Sequence, residues 1–282
     1  MQRLLLLSLL FFAIACKKEN SEDPNTEKTQ LDVSYGTDDK QKMDVYLPAG
    51  RDTVNTKLMV LIHGGAWIEG DKADFTANIN DIKKLLPGYA FANINYRLYN
   101  AFTRSNKFPA QEEDVKAAVE YLLSKRAEYR FSNKIVLLGA SAGAHLALLQ
   151  GYKNSGALSP KAIISYFGPT DLAYLYNNPG LQEVPAILAG IVGSTPSINA
   201  AAYAQSSPIT YVTNRLAPTL LLQGDKDPLV PVKQATLLAD KLKQAGVTYE
   251  LIVYPNEEHG FTTTTMNASI LKVIGFLQAN VP

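Results

Sequence analysis

Short apolar runs of strand length alternate along this chain with longer stretches of helical periodicity. Lys57–Ile62, Ala90–Asn95, Ile135–Leu138, Ala162–Tyr166, Thr219–Leu222 and Tyr249–Tyr254 are mostly apolar and rich in β-branched and aromatic residues, which predicts buried strands. Upstream, Leu31–Tyr35 and Gln41–Leu47 flank the turn Gly36-Thr37-Asp38-Asp39-Lys40 and read as an antiparallel hairpin. Helices are expected over Ala73–Leu86, ended by Pro87-Gly88, and over Ala110–Tyr129, where Val115, Ala118, Val119, Leu122 and Leu123 share one face. Ala142–Tyr152, Val232–Ala245 (closed by Gly246) and Asn267–Gln278 complete the helical set. Strands separated by helices imply an α/β fold: a mostly parallel sheet of about eight strands with helices on both faces. Ligands of such sheets bind beyond the carboxyl ends of the strands, so functional side chains are sought in the loops that follow them.

The N-terminus departs from this pattern. Met1-Gln2-Arg3 precedes an apolar stretch, Leu4 to Ala15, which is too short for the about 20 residues of a membrane-spanning helix and reads as a signal peptide over residues 1–15. Ala13-Ile14-Ala15-Cys16 resembles the bacterial lipobox, and Cys16 is the sole cysteine of the chain. Lipidation at Cys16 is therefore expected, with a polar tether over residues 16–29 and the folded domain over residues 30–282. These features predict an exported bacterial membrane lipoprotein facing the periplasm or the cell surface.

Charge adds an exclusion. The 282 residues include 27 Lys+Arg and 26 Asp+Glu; removal of residues 1–15 takes away Arg3 and no acid, leaving 26 of each. No basic stripe is present, so a nucleic-acid partner is not expected. Three histidines without carboxylates at ligand spacing predict no metal, and nothing in the sequence calls for a cofactor.

The chemistry concentrates around Gly139-Ala140-Ser141-Ala142-Gly143. An apolar strand ends at Gly139 and a helix starts near Ala142, the strand–turn–helix setting of a nucleophile elbow. A serine hydroxyl needs a base, and the base an orienting acid. Of the three histidines, His259 lies in a loop between the last strand and the last helix. It alone satisfies the chain order serine, acid, histidine. His63 is expected to hydrogen-bond within the loop it opens and His145 to pack behind the elbow. The acid is sought after Thr219–Leu222, where Asp227, between Lys226 and Pro228, is preferred over Asp225; Asp171 suits a helix cap. Backbone N–H groups of Gly65 and Ala66, in the loop His63-Gly64-Gly65-Ala66-Trp67, and of Ala142 are expected to form an oxyanion hole.

Together with Asn95-Tyr96-Arg97-Leu98, Phe108-Pro109-Ala110 with Asp114, Ser207-Pro208-Ile209 and His259-Gly260-Phe261, these motifs resemble the α/β-hydrolase superfamily from about Leu31 onward. The nearest groups are hormone-sensitive-lipase-like esterases and bacterial carbohydrate esterases related to acetyl-xylan and feruloyl esterases. The resemblance implies a serine-dependent carboxylic ester hydrolase acting on small or saccharide-linked esters of acetyl or feruloyl type. Short-chain lipase-like, arylformamidase and non-enzymatic binding readings stand as alternatives. Two positions depart from the pattern: Ala66 replaces the third glycine of the lipase-type loop, and Gln223 stands where histidine often opens the acid motif. The second is expected to touch no catalytic role. The insertion from Asp171 to Ser206 is expected to line the site, and Trp67, Tyr174 and Tyr176 are candidate substrate-binding residues that could stack on a sugar or aromatic acyl group, with simple packing as the commoner role of such rings.

Overall fold

The computed structural model describes residues 23–156 and 158–282. Residues 1–15, Cys16 and the first part of the tether lie outside the described residues. Eight strands, β1 (Lys28–Ser34), β2 (Lys42–Leu47), β3 (Lys57–Ile62), β4 (Tyr89–Ile94), β5 (Ile135–Ala140), β6 (Ala162–Tyr166), β7 (Thr219–Gly224) and β8 (Tyr249–Tyr254), form one sheet. Their spatial order is β1-β2-β4-β3-β5-β6-β7-β8. The expected hairpin is present: β1 pairs antiparallel with β2, and β2 antiparallel with β4. All other pairs are parallel.

The apolar runs bury both sheet faces because side chains alternate with a period of two. Leu58, Val60 and Ile62 of β3 and Ile135 and Leu137 of β5 join one core cluster. Met59, Leu61, Val136 and Leu138 join the other. The first face is covered by α2 (Ala110–Ser124), α4 (Ala142–Tyr152) and α8 (Lys233–Ala245), through Val115, Leu146 and Leu238. The second is covered by α1 (Ala73–Leu85) and α9 (Thr263–Asn280), through Ile79, Val273 and Phe276. Every residue of α4 is buried, which fixes the elbow at its N-terminus in the centre of the molecule.

Several boundaries differ from the sequence pattern. The stretch read as one helix to Tyr129 breaks at Lys125 (φ −90°, ψ 0°), so α3 (Arg126–Tyr129) is separate and ends on Arg130 in the left-handed region. α9 begins at Thr263, earlier than expected, because the Thr262 side chain accepts the Thr265 N–H as a cap for a threonine run of weak helix propensity. The insertion folds into α5 (Leu172–Asn177), α6 (Val184–Val192) and α7 (Ala200–Gln205), followed by a 3-10 turn over Pro208–Tyr211. The end of the tether is docked: the buried Arg51 donates through Nη1 to the Thr26 carbonyl at 2.6 Å, and the Gly50 N–H donates to the Pro24 carbonyl at 2.9 Å. Among the described residues, no helix is long and apolar enough to cross a membrane.

Candidate active site

The elbow follows from the glycines around it. A β-carbon on Gly139 would collide with the Gly143 carbonyl, and one on Gly143 with the carbonyls of Ile62 and His63. That close approach lets the chain reverse between β5 and α4 and leaves Ser141 at φ 53°, ψ −120°, a conformation that costs a non-glycine residue about 1–3 kcal/mol. The Ser141 N–H donates to the Tyr166 carbonyl at 2.8 Å, tying the strained residue to the end of β6.

Loops after β7 and β8 bring Asp227 and His259 to it. His259 Nε2 lies 2.9 Å from Ser141 Oγ, and His259 Nδ1 lies 2.7 Å from Asp227 Oδ2. The geometry has Nδ1–H donating to the carboxylate and Nε2 accepting from the hydroxyl. Asp227 is fully enclosed, a position a carboxylate tolerates only when its lone pairs are filled. Oδ1 accepts the N–H groups of Leu229 and Val230 at 2.9 and 2.8 Å, and Oδ2 also accepts Gln223 Nε2 at 2.9 Å. Phe167 packs on the His259 ring with centroids 4.6 Å apart, limiting where the imidazole can swing.

The other acids and histidines have different tasks. Asp225 accepts the Asn256 N–H at 2.6 Å, stapling the acid-bearing loop to the histidine-bearing loop. Asp171 caps α5 by accepting the Tyr174 N–H at 2.9 Å, as expected of it. His63 is stacked on Tyr96 at 4.3 Å, and its Nδ1 donates to the Gly64 carbonyl. His145 is completely buried behind the elbow, with Nε2 2.7 Å from the Ser206 carbonyl; burial lowers its pKa to about 4.

Above the elbow, the loop after β3 turns on positive φ angles at Gly65 (100°), Ala66 (49°) and Trp67 (62°). The Gly65 carbonyl accepts the N–H groups of Ile68 and Glu69 at 3.0 Å each, while the Gly65 and Ala66 N–H groups donate to no backbone carbonyl among the described residues. Ala142 opens α4, where first-turn N–H groups have no intrahelical acceptor. Gly64 passes so close to Ser141 that an added β-carbon would sit 3.3 Å from the serine Cβ.

A cavity of about 30 Å³ opens beside Ser141, walled by Ala66 and Trp67 on one side and by aliphatic residues of α5, α6 and the post-β7 loop on the other. Its lining includes one of the three candidate aromatic residues and leaves out the other two. Trp67 is 4% exposed, packs T-shaped against His145 at 5.1 Å and Phe108 at 5.7 Å, and forms part of the cavity wall. Tyr174 and Tyr176 do not line the cavity; α5 turns the intervening Leu175 to it, and Tyr176 packs on Tyr203 at 5.8 Å. The phase of the helix decides this, since neighbours in sequence lie about 100° apart around it.

One polar residue has a larger part than the sequence reading gave it, and another escaped that reading. Gln223, expected to touch no catalytic role, bonds the same Asp227 oxygen that holds His259. Glu257 accepts the Thr262 N–H and hydroxyl at 2.6 and 2.7 Å and the Thr265 hydroxyl, anchoring the loop that carries His259; these donors hold its carboxyl below the usual carboxylate range. The signal for Gln223 was its position at the end of an otherwise apolar strand. Among the described residues, no three His, Cys, Asp or Glu side chains gather so as to hold a metal ion.

A serine on a strand–turn–helix elbow, linked through histidine to aspartate at the carboxyl edge of a mostly parallel sheet, defines an α/β-hydrolase. The chain belongs to the BD-FAE family, which matches residues 43–242. It is similar to esterase LipQ of Mycobacterium tuberculosis (29% identity over 82% of this chain and 56% of that protein). It is also similar to kynurenine formamidase of Meyerozyma guilliermondii (31% identity over 77% of this chain and 82% of that protein). A solved structure of a truncated carbohydrate esterase from gut microbiota superposes with a TM-score of 0.72, at 26% identity over 90% of this chain and 98% of that one. The chain spans about half the length of the curated esterases it matches.

Proposed function

We propose that the protein is a serine carboxylic ester hydrolase acting through an acyl-enzyme on small or carbohydrate-linked esters. The unbroken hydrogen-bonded chain Asp227–His259–Ser141 carries this reading. In the first half-reaction Ser141 Oγ attacks the ester carbonyl carbon and its proton passes to His259 Nε2. The carbonyl oxygen takes up the negative charge opposite the N–H groups of Gly65, Ala66 and Ala142, each such donor contributing about 2.7–4 kcal/mol to the transition state. The C–O bond then breaks, and His259 returns the proton to the departing alkoxide. Water repeats the sequence on the acyl-serine, releasing the acid and restoring the hydroxyl. Asp227 remains ionised throughout and holds the imidazole with Nδ1 protonated.

The carbohydrate esterase neighbour supports saccharide-linked substrates, and the formamidase relative favours a second reading, hydrolysis of a formamide by the same steps with an amine leaving. Fluorophosphonate labelling, lost in Ser141→Ala, and release of acetate from acetylated xylan are the expected results. Labelling that survives Ser141→Ala overturns the assignment, and turnover of an aryl formamide with no ester turnover selects the second reading. Residues 1–15 would direct export and Cys16 would carry lipid, a proposal supported by the charged start, the apolar run and the lone cysteine. Processing blocked by globomycin and lipid labelling lost in Cys16→Ala test it.

A further inference from the structure

Asp227 sits in a closed ring of hydrogen bonds. Its Oδ1 accepts the Val230 N–H at 2.8 Å, the Val230 carbonyl accepts a hydrogen bond from Gln223 Nε2 at 2.9 Å, and the same nitrogen donates to Asp227 Oδ2 at 2.9 Å. Gln223 is 1% exposed, near the end of β7. The Gly224 carbonyl lies 3.4 Å from that nitrogen, so every polar neighbour of this end of the amide is an acceptor, and Nε2 rather than Oε1 faces them. An amide nitrogen carries two hydrogens, as closing the ring requires. We infer that Gln223 is a positioning residue of the Ser141–His259–Asp227 triad: through two simultaneous donations it fixes the tilt of the Asp227 carboxylate so that Oδ2 meets His259 Nδ1. The inference rests on the ester-hydrolase reading above.

The other bonds at this corner leave that task undone. Asp225 accepts the Asn256 N–H at 2.6 Å and the Lys226 N–H donates to the Glu257 carbonyl at 3.0 Å. These fasten the acid-bearing loop to the histidine-bearing loop, yet neither touches the Asp227 carboxylate. The N–H groups of Leu229 and Val230 both reach Oδ1 and hold that oxygen alone. With one oxygen pinned, the carboxylate still tilts about it, and the tilt moves Oδ2, the atom 2.7 Å from His259 Nδ1. Among the described residues, Gln223 is the one side chain besides His259 that donates to Oδ2. The residue also carries a cost that packing does not explain. Gln223 Oε1 is enclosed and meets no protein donor among the described residues, whereas Leu220, Leu221 and Leu222 before it are buried and apolar. A leucine or methionine would fill the strand end without enclosing an unpaired oxygen, which is unfavourable. What offsets that cost is the pair of bonds to Asp227 and Val230.

The test compares Gln223→Met, Gln223→His and Gln223→Asn with the wild type on p-nitrophenyl acetate, with active sites counted by fluorophosphonate labelling. Methionine keeps the length and loses both donors. Histidine keeps one donor at similar reach, and the carboxylate, as the stronger acceptor, takes its hydrogen. Asparagine keeps the amide but withdraws it by a methylene. Per labelled site, Gln223→Met should lower kcat about 10–100-fold, as loss of a partner that orients a catalytic group does, and leave KM within about threefold. The loss stays short of the about 10⁴-fold of a wrong tautomer because Leu229 and Val230 still hold Oδ1. Gln223→His should return to within about fivefold of wild-type kcat and Gln223→Asn should not. The His259 Nδ1–H proton resonance, assigned by its loss in His259→Gln, should shift or broaden in Gln223→Met and recover in Gln223→His. If Gln223→Met does not fold, the order of histidine above asparagine decides. A kcat per site within about twofold of wild type in Gln223→Met or Gln223→Asn overturns the inference. So does a loss confined to KM, or one that histidine fails to relieve. A wild type that neither labels nor turns over an ester sinks the ester-hydrolase reading instead, and the resonance then reports by itself whether Gln223 holds Asp227 against His259.

Discussion

Asp225 and Asp227 are two residues apart and similarly placed in sequence, yet one joins loops and the other holds the imidazole. Their substitutions should separate sharply. Asn in place of Asp225 keeps a carbonyl oxygen to accept the Asn256 N–H, so Asp225→Asn should stay within about tenfold of wild-type kcat. Asp227→Asn presents neutral oxygen or N–H to His259 Nδ1, disfavours the needed tautomer, and should lower kcat about 10⁴-fold in a steady-state assay with an acetate ester. The serine, the histidine and the loop glycines were legible because their backbone demands leave a pattern in sequence. Gln223 was not, because its contact with Asp227 depends on how the post-β7 loop curls back over the strand end. Trp67 lines the cavity whereas Tyr174 and Tyr176 do not, a difference that sequence could not show: residue type says that a ring is present, and only packing says what it faces.

Helix α4 shows how one element couples catalysis to stability. It is buried on all sides, as its near-continuous apolar sequence requires, and His145 sits one turn inside it. Burial lowers that imidazole from the ordinary 6.5 to about 4. Between those values the unfolded chain binds a proton that the folded chain refuses. The associated stability is therefore complete above pH 6.5 and lost as pH falls toward 4, a difference of roughly 3 kcal/mol. Urea unfolding midpoints should fall steeply from pH 7 to 4.5 in the wild type and less in His145→Gln, whose amide can still donate to the Ser206 carbonyl. The strands and long helices were readable from periodicity, whereas α5, α6 and α7 were not. They are 6, 9 and 6 residues long, too short for a periodic signal, and hold their form by packing on the core through Leu172, Leu188 and Tyr203.

At the scale of the whole molecule, the sheet has two unlike ends. Ser141, Asp227, His259 and the Gly65–Ala66 turn all follow the carboxyl ends of parallel strands. β2 runs against β4, with Tyr46 opposite Phe91, and Lys28 lies opposite Leu47, so the tether enters at the other end, beside Arg51. Strands of six residues separate these ends by roughly 20 Å. If the proposed lipid on Cys16 holds the chain on intact vesicles, a biotinylated fluorophosphonate on Ser141 should bind added streptavidin as completely as it does in detergent. Binding only after detergent would show the site turned toward the bilayer. The docked stretch around Pro24 and Thr26 thus fixes where a preceding anchor would attach. If Cys16 carries the proposed lipid, the anchor joins the sheet at the end away from Ser141, and a substrate would reach the serine from the side facing away from that attachment.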